Sequence, residues 1–84
     1  MPEDKVPAEF FVKFPQSAIK SRQHRIWEQI NILWCTRDGV DYINTLLIVE
    51  KGRERQGFDA DVISELMVLG QLQEKACPEV AGTK

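Results

Sequence analysis

The sequence predicts an all-α fold: a small three-helix bundle over residues 17–77, behind an extended N-terminal arm at 1–16 and ahead of a flexible tail at 78–84. Three observations predict it. Apolar residues in two long segments recur at the three-to-four spacing of an amphipathic helix. Proline and glycine fall mostly between those segments. The segment richest in β-branched residues, 40–50, fails the strict alternation of a half-buried strand. The alternative is an α+β chain with short strands near 10–14 and 43–50.

The arm, "MPEDKVPAEFFVKFPQ", holds three of the four prolines, which excludes a continuous helix. Within it Phe10, Val12 and Phe14 alternate with Phe11 and Lys13, the period of an extended segment with one buried face. The arm is expected to lie over the helical core, since no second clean strand is present to pair with it.

Residues 17–38 form the first predicted helix. Ile19, Ile26, Trp27, Ile30, Leu33 and Trp34 fall in a stripe roughly 120° wide on a helical wheel. Ser17 or Ser21 supplies the N-cap, and Gly39 is placed to stop the helix. Trp27 and Trp34 continue the apolar face and read as core or interface residues rather than as a stacking platform. Residues 40–50, "VDYINTLLIVE", keep Val40, Ile43, Leu46 and Leu47 at helical spacing, with Asp41, Asn44 and Thr45 opposite. Tyr42 and Val49 widen this apolar face to roughly half the circumference, which makes it the expected central helix. Gly52 fits the position just past its end.

The third helix runs from Asp59 to Cys77. Asp59 is its expected N-cap, Phe58 packs on Ile63 as a hydrophobic staple, and Asp61 complements the helix dipole. Val62, Ile63, Leu66, Met67 and Leu69 give the apolar face, and Pro78 ends the helix. Gly70 lies within that face at a cost of about 1 kcal/mol relative to Ala, which suggests a close helix crossing.

Composition narrows the function. A chain of 84 residues is one domain with a thin core. Eleven Lys and Arg against thirteen Asp and Glu leave a net charge of −2, which provides no global field for nucleic acid or an anionic membrane. No apolar run is long enough to span a membrane, and the first ten residues lack the pattern of a signal peptide, so a cytoplasmic protein is expected. Cys35 and Cys77 have neither CxxC spacing nor His partners, and are expected as free, largely buried thiols. No metal site and no cofactor is implied.

Nothing in the sequence points to catalysis. His24, the one histidine, falls between Arg22 and Arg25 on the polar side of the first helix, without a partner to orient it as a base. The basic connector "EKGRERQGFD" does not satisfy the phosphate-loop pattern, because Phe58 and Asp59 follow its second glycine. It reads as a solvated connector whose Lys51, Arg53 and Arg55 are the candidate docking point for a carboxylate or phosphate on a partner. The expected function is a small non-catalytic interaction or regulatory module that self-associates. Its homodimer interface is expected on the second and third helices around Met67, Leu72 and Ile48, with Trp34 as a rim aromatic. A nucleic-acid-associated regulator is the alternative, using Lys20, Arg22, Arg25 and Arg37 on the basic side of the first helix.

Overall fold

Two long helices and four shorter ones among the described residues settle into an all-α fold. The computed structural model describes residues 6–54 and 60–81. They form six helices: α1 Glu9–Lys13, α2 Ala18–Arg22, α3 His24–Ile32, α4 Arg37–Glu54, α5 Ala60–Ala76 and α6 Pro78–Ala81. No strand occurs among the described residues, so the α+β alternative is set aside. The Cα radius of gyration is 12.3 Å, against about 12 Å for a compact domain of this length.

The arm is not extended over its described part. Phe14 N–H donates to the Phe10 carbonyl at 2.8 Å, closing one helical turn between Pro7 and Pro15. The difference shows in which side chains share a face. A period of two would put Val12 beside Phe10 and Phe14, whereas the helical turn leaves Val12 82% exposed and buries Phe10 completely. Phe10 stacks on Trp27 with ring centroids 5.8 Å apart, and Phe11 meets the same indole edge-on at 5.5 Å. Val6 N–H donates to Asn31 Oδ1 at 3.2 Å, which fastens the start of the segment to α3.

The first predicted helix is two helices. Gln23, at φ −120° and ψ 59°, both closes α2 and opens α3, and no Pro or Gly marks the break. Ser17 caps α2 as expected, its Oγ accepting from Lys20 N–H at 3.0 Å. The helix stops at Ile32, several residues short of Gly39. Thr36 then opens α4: its Oγ accepts from Gly39 N–H at 3.0 Å and donates to the Leu33 carbonyl at 2.8 Å. Gly39 is therefore a first-turn residue of α4 and not a helix stop. A Cβ there would stand 1.9 Å from the Leu33 carbonyl oxygen, so only glycine fits.

α4 runs on through Gly52, which is an interior residue of the helix and not the position after its end. It is also not the central helix. Ile43 is buried, but Ile48 and Val49 face out at 72% and 47% exposure. The centre belongs to α5, which packs on α1, α2, α4 and α6 and buries Val62, Ile63, Leu66, Leu69 and Leu72. The expected cap Asp59 and staple Phe58 lie outside the described residues. Residues 78–81 of the expected tail form α6, with Val80 packed against the core.

Cys35 and Cys77 are not free thiols. They form a disulfide with a Cα–Cα distance of 5.5 Å, joining the turn after α3 to the junction of α5 and α6. Cys77 is buried as expected, but Cys35 is exposed. Beside it Gln73, itself buried, donates from Nε2 to the Trp34 carbonyl at 2.8 Å.

Candidate functional site

α5 divides into an inner side that locks the bundle and an outer side that faces solvent. The inner side carries a charged residue that is only 2% exposed, Glu65. Its carboxylate spans the start of α2: Oε1 accepts from Ser17 Oγ at 2.6 Å and Ile19 N–H at 3.2 Å, and Oε2 accepts from Ala18 N–H at 2.8 Å. These are the otherwise unpaired first donors of a helix, so a side chain from α5 completes the cap that Ser17 begins. Among the described residues no buried side-chain nitrogen or oxygen lacks a partner. A depression of about 420 Å³ beside Glu65 is lined by Lys13, Arg22, Asp61 and Ser64, a mixed-sign rim that selects no one ligand charge.

The outer side of α5 presents Ser64, Met67, Gln71 and Glu74, all exposed, along one ridge of residues three and four apart. Met67 is 45% exposed and stands between two grooves. The one towards α4, of about 280 Å³, is lined by Val40, Asn44, Leu47, Gly70 and Gln71. The one towards α1, of about 430 Å³, is lined by Lys13, Phe14, Ser64, Val68 and Gln71. Gly70 belongs to the floor of the first. Among the described residues nothing lies within 4 Å of where its Cβ would be, so they do not make the close crossing expected at Gly70.

The expected interface residues separate. Ile48 and Met67 face solvent, whereas Leu72 and Trp34 are taken into the chain's own core at 6% and 3% exposure. The expectation that Leu72 faces water is not met: Leu72 belongs to the buried cluster that also takes in Phe10, Trp34 and Cys77. Of the expected docking residues, Lys51 is exposed, Arg53 reaches Glu50 Oε2 at 3.4 Å, and Arg55 lies outside the described residues. The basic residues of the first predicted helix are distributed over three helices, Lys20 and Arg22 on α2, Arg25 on α3 and Arg37 on α4. Lys20 Nζ sits 4.9 Å from the centre of the Phe11 ring, and Arg37 donates to the Val80 carbonyl at 3.4 Å.

His24 does have a partner. Its Nε2 is 3.1 Å from Glu28 Oε2, one helical turn on, with both side chains largely exposed. That i,i+4 spacing was available in the sequence. Glu65 and Gln73 also left a signal there, since both fall on the apolar side of α5 among Val62, Leu66 and Leu69, where a polar side chain requires a buried partner. The described residues contain no group of His, Cys, Asp and Glu able to hold a metal ion, and no helix among them is long and apolar enough to cross a membrane. No family model matches the chain, and no curated protein or solved structure is significantly similar to it.

Proposed function

We propose that this chain is a small non-catalytic interaction module that pairs with a second copy of itself through the outer side of α5 and the adjoining edge of α4. One observation carries the reading: a knob and a hole lie one turn apart on the same helix. Met67 projects as an exposed apolar ridge, and Gly70 opens the groove beside it. A two-fold axis near Val68 lets Met67 of each copy enter the Gly70 groove of the other, a reciprocal ridge-into-groove contact. Pairing also accounts for a glycine that costs helix stability and meets no close neighbour among the described residues.

Sedimentation equilibrium at micromolar concentration tests the proposal, with Met67→Glu as the variant. Twice the chain mass is expected for the unmodified protein and a single chain mass for Met67→Glu, with helical content unchanged in both. Leu72→Glu is unsuitable, because it places a charge in the core. A single chain mass for the unmodified protein over a wide concentration range would refute pairing. Lys51 and Arg53 at the far end of α4 are the proposed docking point for an acidic group of a further protein partner, and changing both to Ala should weaken that contact without altering the mass. The second reading, nucleic-acid association, draws on exposed Lys20 and Arg25, but Glu28 on the same exposed side of α3 dilutes their charge. Binding to random duplex DNA that weakens steeply with salt would favour it.

A further inference from the structure

We propose that the Cys35–Cys77 disulfide is the lock on which the folded state depends, and that the protein works in an oxidising compartment. The bond joins positions 42 apart in sequence and closes a loop that contains both long helices, α4 and α5. Those two helices form the most extensive packing in the molecule. Cross-linking the ends of so long a segment removes a large part of the freedom its unfolded chain would have. Other ties at this end are few among the described residues, the Arg37 bond to the Val80 carbonyl being one. The turn after α3 is otherwise tied to the end of α5 by the Gln73 bond to the Trp34 carbonyl and by burial of Trp34. α6 hangs on the same point, since Val80 and Ala81 N–H both donate to the Cys77 carbonyl.

The two sulfurs differ in access. Cys77 is 2% exposed, whereas Cys35 lies on the surface. Oxidation by a protein or small-molecule disulfide therefore begins at Cys35. Its thiolate attacks one sulfur of the oxidant and expels the other as a thiolate. Cys77 thiolate then attacks Cys35 Sγ, forming the internal bond and releasing the oxidant's second sulfur. Two electrons pass to the oxidant, and the two protons lost from the cysteines end on its thiols. A thiol reductant reverses the path by attacking Cys35 Sγ, with Cys77 as the leaving thiolate. A bond so placed is open to the thiol pools of a reducing cytosol and persists where such pools are absent. The cytoplasmic expectation drawn from the sequence is thereby replaced by a proposal of the opposite sense.

Thermal unfolding of the full chain with and without dithiothreitol, followed by circular dichroism, tests the lock, with the thiol state of each sample verified by acid quench, alkylation and mass. Reduction is expected to lower the midpoint by about 15 °C or more. The double variant Cys35→Ser, Cys77→Ala is expected to melt with the reduced chain and to ignore dithiothreitol. A midpoint that reduction leaves in place, or a double variant that melts with the oxidised chain, would overturn the lock. The compartment is read by acid-quenching native cells and alkylating the extracted chain. No alkylated cysteine is expected, and a chain alkylated at both would overturn the oxidising location.

Discussion

Two glycines show how a single side chain is judged by its surroundings. Both Gly39 and Gly70 lie in helices, where glycine costs about 1 kcal/mol relative to Ala. At Gly39 a methyl group would collide with the Leu33 carbonyl, so Gly39→Ala should destabilise the fold by about 2 kcal/mol or more as the α3–α4 turn is pushed apart. At Gly70 a methyl group meets nothing, so Gly70→Ala should stabilise the monomer by about 1 kcal/mol. Urea unfolding of both variants, carried out below the concentration at which copies pair, measures the contrast. The sequence read Gly39 as a helix stop and Gly70 as a helix crossing; the stop is overturned because the deciding contact at Gly39 comes from a carbonyl outside its own helix. Had Gly70 been needed for an internal crossing, its Ala variant would lose stability.

Among the elements, α2 depends on a side chain outside itself. It is five residues long, too short to persist on its own propensity, and its first donors are closed by Glu65 from α5. Glu65→Leu should cost about 2–3 kcal/mol, because it leaves buried donors at Ala18 and Ile19 without acceptors. Ser17→Ala should cost about 1 kcal/mol. Hydrogen exchange at the Ala18 and Ile19 amides reads the cap directly, and unchanged protection in Glu65→Leu would show that the carboxylate does not close the helix. Helical periodicity revealed the existence and type of the long elements, since Ile43, Leu46 and Leu47 in α4 and Val62, Leu66 and Leu69 in α5 keep their spacing whatever they pack against. It ran straight through the break at Gln23, because periodicity senses a face and not a hydrogen-bond register. It also misread Phe10–Phe14, where a five-residue pattern fits an alternating strand and one helical turn equally well.

At the scale of the whole molecule, the disulfide supplies what a thin core lacks. Closing a loop of this length is worth about 4 kcal/mol on the chain-entropy account, a large fraction of the roughly 4–13 kcal/mol expected for a domain of this size. The pairing of Cys35 with Cys77 was not legible from spacing, because what brings the two together is the fold of α4 back along α5. The candidate interface was legible only in part. Met67 and Ile48 were recognised as surplus apolar surface and do face solvent, while Leu72 was assigned outward although the core takes it in. A three-helix count left too few neighbours for α5, and α1 and α6, both packed on it, add two.

The pairing of two copies through α5 is tested most directly by amide correlation spectra of the labelled chain over a dilution series. Concentration-dependent shifts should concentrate at Ser64, Met67, Gly70, Gln71 and Asn44, vanish in Met67→Glu, and leave Lys20 and Arg25 unmoved. Spectra that do not change with concentration, or shifts that avoid the Met67–Gly70 turn, would contradict the proposed pairing.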